Sequence, residues 1–139
     1  MKEMVYTTER KCEILHSGVY KDHKFAILNL GTHPTAYVEC KFSKCSTYDD
    51  KRFDTVCVHG GFTYLGTPKW DKNDTTTIYV GWDYGHFGDY MGYEAHYPQL
   101  SYSYNKRWTT AEIFEEVKSV IDQLLQVEAT ELTAALKEE

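Results

Sequence analysis

The chain lacks a basic excess. Lys and Arg number 15 against 21 Asp and Glu, a formal charge of −6 over 139 residues. Phosphate-tracking affinity for duplex nucleic acid rests on clustered Lys and Arg, so direct binding to a duplex is not expected. The acidic residues are scattered, so a DNA-mimicking surface is not indicated either. No apolar run reaches the length of a membrane span, and Met1 to Arg10 is polar with no apolar segment behind it, so neither a membrane partner nor a signal peptide is expected. The chain is short for a Rossmann or barrel enzyme, and its length suits one small domain. Cysteine is sparse: Cys12, Cys40, Cys45 and Cys57 read as reduced thiols of a cytoplasmic protein, and the C-x4-C pair Cys40/Cys45 has no second pair downstream to complete a zinc site.

What the chain does have is aromatic side chains. The 12 Tyr, 6 Phe and 3 Trp make up 15% of it, and tyrosines are dense between Tyr79 and Tyr104. Rings of this kind favour strands, cores and ligand-stacking walls alike. Short apolar segments at Cys12–Leu15, Lys24–Leu30 and Thr35–Phe42 read as strands, with a turn at Ser17-Gly18 between the first two and with His33-Pro34 in a connection. Strand positions also fall between Asp54 and Leu65, interrupted by His59-Gly60-Gly61. Adjacent glycines there permit a bulge or a close approach by another group. Thr76–Trp82 is a further strand, able to pair antiparallel with the previous one and so bring the His59 end near Asp83.

The strongest local signal lies near the C-terminal side. Thr109-Thr110-Ala111-Glu112 matches a capping box, with Trp108 and Ile113 placed as a hydrophobic staple. Ile113, Phe114, Val117, Val120, Ile121, Leu124 and Leu125 follow as an apolar stripe at helical spacing. The predicted fold is α+β, an antiparallel β-sheet with one long C-terminal α-helix packed on one face. Residues 1–125 form a single domain, and 126–139 an acidic helix extension or tail.

Polar residues concentrate at Val58–Tyr64 and at Gly81–Tyr90, where Asp83, His86 and Asp89 stand as D-x-x-H-x-x-D among glycines, a pattern suited to a ligand-wrapping loop. Together with His59 they define one candidate pocket, and His33 adds a third imidazole. Two His and one or two Asp could ligate a metal while another carboxylate activates water. They could equally serve as acid and base, since imidazole titrates near working pH. A third reading is a binding site, with glycine amides facing phosphate and Trp82, Tyr84, Phe87 or Tyr90 stacking on a ring. Turn chemistry alone explains an Asp beside a Gly, so a purely structural cluster also fits.

Gly31-Thr32-His33-Pro34-Thr35-Ala36-Tyr37-Val38, His59-Gly60-Gly61 with Thr63-Tyr64, Gly81-Trp82-Asp83-Tyr84 with His86 and Gly88-Asp89-Tyr90, and Trp108-Thr109-Thr110 with Glu112-Ile113 resemble a family of small bacteriophage and prophage proteins without a settled biochemical function. The resemblance runs from about Phe25 to Leu125 and departs from the family at Cys40–Cys45. It implies a mobile-element setting in the cytoplasm of a host bacterial cell, where small proteins counter host defences. The expected function is binding and sequestration of a small nucleotide-like signal through His33, His59, Gly60, Gly61, Thr63, Trp82, Asp83, His86, Gly88, Asp89 and Tyr90. The alternatives are a metal- or His-dependent hydrolase of a nucleotide or phosphoester, and a protein inhibitor of a host defence effector. The absence of an H-E-x-x-H pattern or a nucleophile elbow weighs against the hydrolase. Apolar surface left on the sheet would suit a homodimer. No cofactor is specified by any motif.

Overall fold

The computed structural model describes residues 3–6, 11–29, 33–42, 44–86, 89 and 106–137. Six strands, β1 (Glu3–Tyr6), β2 (Lys11–Tyr20), β3 (His23–Asn29), β4 (Pro34–Glu39), β5 (Tyr64–Gly66) and β6 (Tyr79–Asp83), form one sheet in the order β1-β2-β3-β4-β6-β5. Every neighbouring pair is antiparallel. Among the described residues one α-helix, α1 (Thr110–Lys137), lies on one face. The α+β architecture expected from the sequence is the one found.

Strand alternation sorts the apolar residues onto two faces. Phe25, Ile27, Ala36, Val38, Val80 and Trp82 meet Ile113, Val117, Val120, Ile121 and Leu124 of α1 in the main core. The five helix residues are fully buried. Ala26 and Leu28 point the other way, where Ile14, Tyr37 and Trp70 cover them. Trp70 reaches back from the β5–β6 connection to pack its ring 4.6 Å from Tyr37 and 5.0 Å from Tyr79.

The helix begins where the capping box places it. Glu112 N–H donates to Thr109 Oγ1 at 3.1 Å, and Thr109 N–H donates to Glu112 Oε1 at 3.1 Å. The helix continues without a break through Lys137, taking in the acidic stretch after Leu125. Leu124 closes the fully buried stripe at its C-terminal end, and truncating a fully buried leucine costs its transfer energy plus the cavity left behind. Leu124→Ala is expected to lower stability by about 3 kcal/mol in a urea melt; a loss under about 1 kcal/mol would mean that the helix does not pack as described.

Three strand expectations need correction. The β2–β3 turn is not at Ser17-Gly18. β2 runs through both residues, with a register shift between Ile14 and His16, and reverses at Lys21-Asp22, whose φ angles are 48° and 65°. Positive φ at both central residues is the two-residue hairpin geometry, and Asp accepts it at low cost. Pro34 is not in the connection but opens β4, a place where its missing N–H does no harm.

The third correction concerns 54–63, which carries no strand. Turn bonds and helix side chains meet its backbone groups instead: Val56 N–H donates to the Phe53 carbonyl and Gly61 N–H to the Val58 carbonyl, Gln123 Oε1 accepts from Cys57 N–H at 2.7 Å, Gln123 Nε2 donates to the Cys57 carbonyl at 3.0 Å, and Glu116 Oε2 accepts from His59 N–H at 3.0 Å. With those groups satisfied, no ladder is required. The segment thus passes along α1 and delivers His59 to the end of β6.

Candidate functional site

β6 ends at Asp83, and the chain beyond it folds over the first turns of α1. Tyr84 N–H donates to the Pro34 carbonyl at 3.0 Å, holding the exit of β6 against the start of β4. Asp83 Oδ1 accepts from Gly85 N–H at 3.0 Å, and Asp89 N–H donates to the His86 carbonyl at 2.9 Å, so the loop is tied into short turns.

Asp89 is the hub of what these turns assemble. It is 5% exposed, and its carboxylate accepts from His59 Nε2 at 2.7 Å, Trp108 Nε1 at 2.8 Å and the backbone N–H of His86 at 3.1 Å. A buried carboxylate bonded three times is a fixed acceptor. It sets the His59 tautomer: Nε2 carries the hydrogen, leaving the Nδ1 lone pair, which contacts no hydrogen-bonding group among the described residues.

The His59 ring is also held on its faces and at its backbone. It stacks on Tyr84 at 4.7 Å with 13° between planes, and Trp108 meets it edge-on at 5.0 Å. The Tyr84 hydroxyl donates to Glu116 Oε1 and accepts from Trp82 Nε1 at 3.0 Å, while the other Glu116 oxygen holds His59 N–H. Glu116 of α1 therefore positions both the imidazole's main chain and the ring beneath it.

His86 supplies a second imidazole, with ring centroids 5.6 Å from His59. Its Nε2 lies 3.3 Å from Asp83 Oδ1, near enough for attraction but out of line for a hydrogen bond, and that nitrogen is buried. Gly60 makes room for it. A Cβ at Gly60 would lie 2.1 Å from His86 Nε2, so the close approach anticipated at His59-Gly60-Gly61 is made by the protein's own histidine. The Asp83 side is completed by Thr63, whose hydroxyl is 3.4 Å from Asp83 Oδ2.

Of the residues singled out from sequence, His33, His59, Gly60, Thr63, Asp83, His86 and Asp89 come together. The His33 ring packs against Gly85, where an added Cβ would lie 3.0 Å from it. Gly61 adjoins the cluster with open space at its Cβ position. Trp82 is corrected: at 1% exposure with its indole N–H bonded to Tyr84, it is core and offers no stacking face. Tyr84, another stacking candidate, is fully buried under His59. Phe87, Gly88 and Tyr90 lie outside the described residues.

Glu116 was not anticipated, although a carboxylate three residues after Ile113 and flush with the apolar stripe is a signal that could have found it. Among the described residues no group of three or more His, Cys, Asp or Glu is arranged to hold a metal ion, and Cys40, Cys45 and Cys57 are free thiols. Burial pushes the Cys40 thiol up to about 12. No described helix is long and apolar enough to cross a membrane. Comparison with protein-family models, curated proteins and solved structures finds no match.

Two buried tyrosines make the fold sensitive to alkali. Burial, then the bond to Glu116, raises the Tyr84 phenol well above its ordinary 10. Burial, then the nearby Asp74, Glu39 and Asp71, pushes Tyr79 up to about 12. Folded values above unfolded ones mean stability that is intact below pH 10 and lost as pH rises from 10 towards 12. Urea midpoints across pH 8–12 should be level to about 10 and then fall. A Tyr84→Phe/Tyr79→Phe variant, less stable at neutral pH, should show a shallower fall.

Proposed function

We propose that this chain is a histidine-based acid/base catalyst of phosphoester hydrolysis acting on a small nucleotide-like ligand. The observation that carries this reading is the His59–Asp89 contact of 2.7 Å with a second imidazole 5.6 Å away. A buried carboxylate that fixes one histidine nitrogen leaves the other as a base of defined direction. Each group reaches a reacting atom over roughly 3 Å, so two rings at this spacing can serve one tetrahedral centre. His59 Nδ1 takes the proton of the attacking water as its oxygen bonds to phosphorus. His86 protonates the leaving oxygen as the P–O bond breaks.

Several binding features of the sequestration reading are occupied by internal contacts. Trp82 is in the core, Tyr84 lies under His59, and Gly60 admits His86. What remains for chemistry among the described residues is the His59 Nδ1 lone pair beside the His86 ring. Sequestration of the same ligand keeps one observation in its favour: Asp89 holds the His59 ring, Glu116 holds its backbone N–H and accepts from Tyr84 beneath it, which preorganises a surface without turnover. In the mobile-element setting that the motifs imply, either activity would remove a host signal.

The test is incubation with a panel of nucleoside phosphomonoesters and phosphodiesters, including cyclic and ADP-ribose types, followed by chromatography. Product formed by the native chain and reduced about 10²-fold or more in His59→Ala is the expected result. A ligand that raises the melting temperature and is recovered intact would shift the reading to sequestration. Neither turnover nor stabilisation by any panel member would overturn both and direct attention to a host defence protein as the partner.

A further inference from the structure

The acid/base reading uses the α1 side of the site and leaves the other side of β6 unexplained. Asp83 lies opposite Thr35 in the β4–β6 register, so the two side chains share the face turned away from α1. Thr35 is 4% exposed, and its hydroxyl has no hydrogen-bond partner among the described residues. His86 Nε2, also without one, borders the same carboxylate at 3.3 Å. Among the described residues Asp83 Oδ2 receives only the 3.4 Å contact from Thr63. Two polar atoms with spare capacity, Thr35 Oγ1 and His86 Nε2, thus flank an Asp83 oxygen that is itself weakly bonded, whereas the Asp89 carboxylate already accepts from three donors. Buried polar groups are normally satisfied, and leaving one unpaired is costly. A local excess of unmet donors and acceptors next to a catalytic pair marks where a substrate's own hydroxyls belong.

We propose that the Thr35–Asp83–His86 corner is a subsite for the vicinal hydroxyls of a sugar, so that the substrate class is a ribose phosphoester with free 2′ and 3′ hydroxyls. This rests on the acid/base reading and extends it from bond type to substrate. One hydroxyl donates to Asp83 Oδ2, the acceptor with the weakest internal contact. The second accepts from Thr35 and donates to the remaining carboxylate capacity. The phosphoryl group then lies towards the gap between His86 and His59. A diol suits this corner better than an amine, because Thr35 and the histidine add hydrogen-bonding capacity rather than a second negative charge. A plain alkyl phosphate would leave Thr35 Oγ1 and Asp83 Oδ2 unmet.

The test compares hydrolysis of uridine 5′-(p-nitrophenyl phosphate) with that of its 2′,3′-dideoxy analogue. The expected result is a kcat/KM higher for the ribose ester by roughly tenfold or more, as for a site that hydrogen-bonds a hydroxyl. Thr35→Val, which keeps the shape and removes the hydroxyl, should bring the ratio towards one, and Thr35→Ser should restore it. Equal rates for the two esters with the native chain would overturn the subsite while leaving the acid/base reading standing. A ratio unchanged in Thr35→Val would overturn the role of Thr35 and assign its orphan hydroxyl to internal water. If neither ester turns over, equilibrium binding of uridine 5′-monophosphate and its dideoxy analogue decides: preference for the ribose form supports the subsite without catalysis, and equal or no binding overturns it.

Discussion

Asp89→Asn should leave a folded protein that is about 3 kcal/mol less stable and, on the proposed acid/base reading, roughly 10²-fold less active on a phosphoester. The carboxylate serves three donors, from His59, Trp108 and the His86 backbone. An amide of the same shape has one oxygen and one NH2, so at least one donor must face another donor. If the NH2 turns to His59 Nε2, that nitrogen becomes the acceptor and the hydrogen moves to Nδ1, removing the lone pair assigned to the attacking water. If it turns to Trp108, a half-buried indole N–H loses its acceptor and the ring that meets His59 edge-on is loosened. Urea melts and phosphoester kinetics on the same preparation measure both effects. Activity within tenfold of native would show that the dyad is structural only.

Gly60→Ala should cost about 2 kcal/mol and disable the second histidine, whereas Gly61→Ala should cost about 1 kcal/mol and spare it. Both glycines have positive φ, 70° and 79°, so any Cβ carries the left-handed penalty at either position. Only Gly60 adds a collision, with His86 Nε2 at 2.1 Å and Cδ2 at 2.4 Å; nothing lies within 4 Å of a Cβ at Gly61. The difference between the two variants therefore isolates the approach of His86 from backbone strain. Chemical shifts of the His86 ring should move in Gly60→Ala and stay near native in Gly61→Ala. Equal stability losses with an unmoved His86 would mean that Gly60 is required for its backbone alone.

These effects also show which parts of the molecule could be read from sequence. The Thr109–Glu112 box and the stripe from Ile113 to Leu125 are local patterns of spacing, and the helix follows them. His59-Gly60-Gly61 announced a close approach, and the D-x-x-H-x-x-D run announced a polar loop; both statements concern one segment at a time. What approaches Gly60 depends on the path of a loop 26 residues away. The absence of a strand over 54–63 was hidden for a similar reason: Gln123 and Glu116, 66 and 57 residues distant, replace the ladder. Trp82 illustrates the opposite error. Its neighbours suggested a ligand wall, but alternation along β6 turns it with Val80 towards α1, where burial of a large ring outweighs any use at the surface. The Lys21-Asp22 turn eluded the glycine signal because Lys and Asp adopt the left-handed geometry there, while Gly18 lies within a strand beside Phe25.

The most direct test is a long-range proton–nitrogen NMR spectrum of the His59 imidazole in the native chain and in Asp89→Asn. The predicted result is the Nε2–H tautomer with a lone pair on Nδ1 at a pH where the native ring is deprotonated, converted to the Nδ1–H form or a mixture by the substitution. A native His59 in the Nδ1–H form, or one indifferent to Asp89→Asn, would contradict the claim that the buried carboxylate holds this histidine as a base.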